Sequence, residues 1–178
     1  MTLEDLYHQH HERVFNLALH YLQNIEDAEE VTQDVFVKVH EKLSTFKGAA
    51  AAGTWIYRIT VNTALDALRA RNADKRSHWL RAVSIGSKPL EQDPGSMLHP
   101  GINLEHREAL LQLFRAINKL PVKQRTAIIL LKVESLSLEE TTQVMQISKE
   151  ALESLYHRAK TQLKNILAQA KDDKTKSV

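Results

Sequence analysis

The chain has only five glycines and four prolines, and most of them fall between Gly86 and Gly101. These two residue types are the strongest interrupters of regular backbone. A chain that gathers them in one place can build long uninterrupted elements on either side of it. On both sides apolar residues recur at helical spacing, and no segment sustains a period of two. The expected fold is therefore all-α: two small helical domains joined by a flexible linker.

The expected elements follow from their caps. Thr2, with Asp5 three residues on, caps a first helix carrying Leu3, Leu6, Tyr7, Val14, Leu17, Ala18 and Tyr21. After a break at Gln23 and Asn24, Asn24 caps a second helix. Its first turn is acidic, with Glu26, Asp27, Glu29 and Glu30, and its stripe is Ala28, Val31, Val35, Val39 and Leu43. A glycine-bounded loop with four alanines, Ala49–Ala52, follows, and Thr54 is the expected cap of a third helix ending near Asn72. The turn signals GSKP, QDPG and HPG place the linker at 77–102, between domains at 1–76 and 103–171, with a frayed tail at 172–178. Asn103 is the expected cap of the fourth helix, and Pro121 ends it and opens a fifth from a first-turn position. Ser137-Leu-Glu-Glu140 forms a capping box, and Gln146-Ile147-Ser148 is a tight turn before a long last helix from Lys149.

Several function classes lose ground at once. There is no cysteine, so thiolate metal sites, disulfides and thiol nucleophiles are absent. Nine histidines include a cluster at His8, His10 and His11, but HExxH is missing and no third ligand stands at a recognised spacing, so no metal is expected. GxSxG and GxxxxGK are also missing, which argues against an enzyme, a cofactor or a small-molecule substrate. No apolar run approaches the ~20 residues that cross a bilayer, and the start of the chain lacks a secretory pattern; a cytoplasmic setting is expected. Net charge is only +2, so a nucleic-acid surface would have to come from local clustering.

Two such clusters exist. In the second half, short helix, three-residue turn and long helix make the spacing of a helix-turn-helix, with Leu138, Val144 and Ile147 expected inside. Leu152, Leu155, Tyr156, Ala159, Leu163, Ile166 and Leu167 share the inner face of the last helix. Its outer face carries Glu150, Glu153, Ser154, His157, Arg158, Thr161 and Lys164. Ser, His and Arg there can contact bases or phosphates, whereas the two glutamates repel phosphate. An ordinary solvated helical hairpin would show much the same pattern. In the first half, Trp55, Arg58, Asn62 and Arg69 fall on one side of the third helix. Arginine holds phosphate, Asn reads a base edge, and Trp either stacks on an exposed base or belongs to the core. Arg71, Lys75 and Arg76 add backbone contacts.

With these motifs in order, the sequence resembles the extracytoplasmic-function sigma factors over nearly its whole length. NIEDAEEVTQDVFVKVHEKLSTF is similar to the helix that these proteins dock on the clamp coiled coil of the largest polymerase subunit. GTWIYRITVNTALDALRAR resembles their helix that melts and reads the minus-ten element. LPVKQRTAIILLKVESLSLEETTQVMQISKEALESLYHRAKTQLK resembles the domain that reads the minus-thirty-five element and touches the flap of the second-largest subunit. The resemblance implies that Asp27, Glu30, Gln33, Asp34 and Lys38 face core RNA polymerase. It implies that Asn62 contacts an unstacked promoter base, and that Lys149, Ser154, His157 and Arg158 lie on the recognition helix. It also implies an anti-sigma factor as a partner. The chain departs from the family pattern in having Gln146 where glycine is usual, Glu153 and Leu155 at usually basic positions, and alanines in the loop that selects the flipped base. A dimeric helix-turn-helix regulator of duplex DNA and a sigma-like interaction protein without DNA binding are the alternatives.

Overall fold

Four of the described helices start on a side chain bonded to their first free backbone N–H groups. The computed structural model describes residues 2–46, 48, 51–85 and 104–176, with side chains set aside at 74–85, 104–107 and 171–176. Helix α1 (Leu3–Leu22) opens on a reciprocal capping box: the Asp5 N–H donates to Thr2 Oγ1 at 3.2 Å, and the Thr2 N–H to Asp5 Oδ2 at 2.8 Å. It closes on Gln23, in the left-handed region at φ 54°. Helix α2 (Ile25–Lys42) opens on Asn24, whose Oδ1 accepts from the Asp27 N–H at 2.8 Å. A 3-10 turn (Leu43–Thr45) follows.

Helix α3 (Ala52–Ile85) departs from the expectation at both ends. It starts before Thr54, which is buried inside the first turns and is no cap; the Trp55 N–H already bonds the Ala51 carbonyl. It also runs past Asn72 into the stretch read as linker. The reason is compositional: no glycine or proline stands between Gly53 and Gly86. The three helices pack mutually around Leu6, Leu17, Ala18, Tyr21, Ala28, Val35, Val39, Ile56 and Ala64. Tyr7 is 45% exposed despite its place in the expected stripe. Its ring lies at the rim, edge-on to Phe36 and stacked on His11.

The second unit contains helices α4 (Leu104–Asn118), α5 (Val122–Ile128), α6 (Leu138–Met145) and α7 (Lys149–Lys176). Asn103, the expected cap of α4, lies outside the described residues. Pro121 sits one step earlier than expected, as the cap of α5 rather than in its first turn. The helix beyond Ile128 continues as a π-helical turn, Ile129–Val133, closed by the Glu134 N–H on the Ile129 carbonyl at 2.9 Å. That turn keeps Ile129 and Leu130 buried beside Ala127 and Ile128. Both α4 and α5 pack on α7, and α6 packs on its start. Several apolar expectations change: Ile147, Leu155 and Tyr156 are half-buried rather than inside. Leu138 is 40% exposed, because it occupies the first position of α6 and the inner face is taken by Thr141 and Val144. Leu163, Ile166 and Leu167 are only half-buried, because α7 outruns the helices packed against it. Among the described residues every regular element is helical. The chain divides into two compact units, Met1–Met97 and Leu98–Val178.

Candidate nucleic-acid and polymerase interfaces

On α2 the core takes one side, and the opposite side is a stripe of exposed Glu26, Glu30, Gln33, Asp34, Val37 and Glu41. Toward its C-terminal end Val37 is 56% exposed, an apolar spot in a charged surface that the sequence reading leaves unnamed. Asp27 and Lys38 lie at the edge of this stripe, turned toward α3. The Asp27 carboxylate pairs with Arg71 Nη1 at 3.0 Å, and Lys38 Nζ donates to Thr63 Oγ1 at 3.0 Å. Of the five residues expected to face polymerase, three are therefore free on the surface and two are engaged within the unit.

On α3 the structure separates the expected stripe by depth. Trp55 belongs to the core: it is 8% exposed and stacked on Phe46, ring centroids 4.6 Å apart. Arg58 is half-buried, while Asn62 and Arg69 are exposed. The order along the stripe runs from buried ring to open amide. Asp66 shares that face and pairs with Arg69 one turn on. This pairing was legible at i,i+3 spacing, but the sequence reading passes over it. Arg71 is not on the open face. Its Nη1 donates to the Leu22 carbonyl at 3.0 Å as well as to Asp27. Lys75 and Arg76 continue the helix backbone, and their side chains lie outside the described residues.

In the second unit the turn geometry is that of a helix-turn-helix. Ser137 and Glu140 form the expected capping box, with bonds of 3.1 and 2.9 Å. Gln146 ends α6 at φ 54°, the left-handed conformation that glycine adopts at least cost. The Ile147 N–H reaches the Thr142 carbonyl at 3.2 Å and closes the turn. Ser148 caps α7 by accepting from the Ala151 N–H at 3.2 Å. The expected recognition residues Lys149, Ser154, His157 and Arg158 are all exposed on the first turns of α7, and Leu152 beneath them is fully buried. The Arg158 Nε–H rests on the Ser154 carbonyl at 3.3 Å.

The two glutamates of this face differ. The carboxyl of Glu150 is held below the ordinary carboxylate range by its own backbone N–H and then by the Ser148 hydroxyl. Its charge is spent on the helix N-terminus, where a negative group is favoured. Glu153 stands exposed one turn later. Behind the helix, the Tyr156 ring lies between Lys160, 4.7 Å from its centroid, and Lys132, at 5.6 Å. Among the described residues no group of three or more His, Cys, Asp or Glu side chains could hold a metal ion, and no helix is long and apolar enough to cross a membrane.

Comparison with known proteins agrees with this geometry. Residues 6–73 match the family model for Sigma-70 region 2, and residues 110–163 match that for Sigma-70, region 4. The chain is 30% identical over 162 residues to the RNA polymerase sigma-H factor of Pseudomonas aeruginosa, covering 87% of this chain and 79% of that protein. It is 33% identical over 140 residues to the ECF RNA polymerase sigma-E factor of Escherichia coli, covering 78% of this chain and 73% of that protein. It is 27% identical over 167 residues to the ECF RNA polymerase sigma factor SigM of Mycobacterium tuberculosis, covering 93% and 77%. In fold it is similar to the sigma factor RpoE of Bartonella quintana, solved in complex with the anti-sigma factor NepR. The TM-score is 0.67 at 20% identity, over 93% of this chain and 96% of that one. With both regions matched, in order, and with relatives at this identity over most of their length, the chain belongs to the extracytoplasmic-function RNA polymerase sigma factors, alternative sigma factors that act with core polymerase in transcription initiation.

Proposed function

We propose that the α2 stripe of Glu30, Gln33 and Asp34 docks on the clamp coiled coil of core polymerase while α3 reads an opened minus-ten strand. The observation that carries this reading is the graded face of α3: an exposed Asn62 between Arg58 and Arg69, with the buried Trp55 two turns before it. An Asn amide has both a donor and an acceptor, which suits a base edge freed from its pair. Exposed Val37, one turn beyond Gln33 and Asp34, adds an apolar spot to the docking stripe. The α6–turn–α7 unit presents Lys149, Ser154, His157 and Arg158 to the major groove of the minus-thirty-five element, and the same domain meets the polymerase flap. On this reading the promoter-melting domain lies within 1–76 and the upstream-element domain within 103–171. The protein works in the cytoplasm, has no catalytic site of its own, and is held inactive by an anti-sigma factor, as the Bartonella relative's complex suggests by analogy.

The test is capture of core polymerase followed by run-off transcription on promoters varied at each minus-ten position. Asn62→Ala should keep core binding and lose on the order of 1–3 kcal/mol of discrimination at one position. Wild-type base preference at every position in the variant would remove Asn62 from the site. Tight, sequence-specific binding of the free chain to duplex DNA at physiological salt would instead favour a dimeric regulator.

A further inference from the structure

Two polar struts cross from α2 to α3, and both use residues that the family resemblance would spend on outside partners. At one end, a single nitrogen of Arg71 donates to the Leu22 carbonyl and to the Asp27 carboxylate, each at 3.0 Å. It thereby ties α3 to the corner where α1 ends and α2 begins. At the other end, Lys38 Nζ donates to Thr63 Oγ1 at 3.0 Å, one residue from Asn62. The Thr63 hydroxyl is itself fixed, donating to the Ile59 carbonyl at 2.9 Å. The Arg71 and Asp27 side chains are 30% and 40% exposed, and an ion pair that open adds little to folding stability. What it does fix is direction: the guanidinium cannot bond both acceptors unless α3 lies at one rotation against the α1–α2 corner.

From this geometry we infer that Asp27 and Arg71 are positioning residues for promoter opening, acting as one internal strut rather than as separate contacts to polymerase and to DNA. The strut holds the Arg58–Asn62 face of α3 at a set angle to the docking stripe of α2. Polymerase grips α2, so the angle between the two helices decides where Asn62 stands when the strand opens. Lys38 and Thr63 set the same angle nearer the base-reading residue. The inference rests on the functional reading above and adds to it the way docking and reading are coupled.

A double-mutant cycle separates a strut from two independent contacts, because residues that act through one another fail to add. The variants are Asp27→Ala, which removes the acceptor, Arg71→Met, which keeps the packed stem, and the two combined, each in the full-length chain with core polymerase at saturation. Opening is read as permanganate reactivity of unstacked thymines in the minus-ten element. Core affinity is read separately by competition, and thermal melting verifies that all variants are folded at the assay temperature. Each single variant should lower opening about tenfold, and the double variant by about the same factor rather than by the product. Core affinity should stay within about twofold throughout. Multiplying defects overturn the strut, and so does a loss of core affinity confined to Asp27→Ala. A wild-type chain that binds core yet opens no promoter is a different result: it overturns the functional reading itself.

Discussion

The two units present polar chemistry to their partners by opposite means. In the first, the residues nearest the expected interfaces are tied across helices: Asp27 to Arg71, Lys38 to Thr63, and Arg71 to the Leu22 carbonyl. In the second, the recognition helix is aimed by bonds that span three to five residues: Ser137 with Glu140, Ser148 with Ala151, and Ile147 with Thr142. A cross-helix polar link there joins Arg125 of α5 to Asn118 of α4, at 3.2 Å, and involves neither helix of the helix-turn-helix. The first unit therefore fixes the helices that carry its functional side chains by cross-helix links, and the second aims its recognition helix by capping and turn geometry. The contrast suits the proposed tasks. Reading an opened strand requires two helices held in register, whereas reading duplex DNA requires one helix started at the correct point.

Experiments can break this contrast or sharpen it. The largest effect should be shared by both units. Leu17 in the first and Leu152 in the second are fully buried, and replacing either by alanine should cost about 2–5 kcal/mol in denaturant unfolding. A much smaller loss at Leu152 would mean that the second unit lacks a close-packed core, and the contrast would then extend beyond polar groups.

Next come the caps. Ser137→Ala removes one half of the box that starts α6 and should cost about 1 kcal/mol. It should also reduce upstream-element use, because α6 sets the turn that aims α7. Upstream recognition unchanged by a measured loss of stability would show that the aim of α7 does not depend on its local start.

A smaller gain is expected at the turn. Gln146 holds φ 54°, which costs an L-residue roughly 1–2 kcal/mol, offset in part by the greater freedom glycine has when unfolded. Gln146→Gly should therefore raise stability by up to about 1 kcal/mol in the same unfolding experiment. Destabilisation would reveal a role for the Gln146 side chain that the backbone geometry does not show.

The smallest effect belongs to the first unit and to pH. Burial, and then the nearby Arg13 charge, hold the His10 pKa below 6.5. The unfolded chain thus binds the proton more readily than the folded one. The contribution of neutral His10 is complete above 6.5 and is lost as pH falls below it toward the lower folded value. His10→Gln should flatten the fall in melting temperature over that window; an unchanged slope would place the acid sensitivity elsewhere.

How much could be read from the sequence follows the same division. The capping boxes at Thr2 and Ser137, the Asn24 and Ser148 caps, the tight turn at Gln146-Ile147-Ser148 and the outward face of α7 all depend on residues a few positions apart. Local sterics and hydrogen bonding determine them before any packing, so they are visible in the residues themselves. Even the misread start of α3 was a local matter: a threonine that could cap stood two residues after an alanine at which the helix had already begun. The partners of Asp27, Lys38 and Arg71, the burial of Trp55 against Phe46, and the exposure of Leu138 were decided only in the folded molecule. Asp27 and Arg71 stand 44 positions apart, and no spacing rule connects them. Their meeting depends on how α3 crosses the α1–α2 corner, which is decided only when the three helices pack.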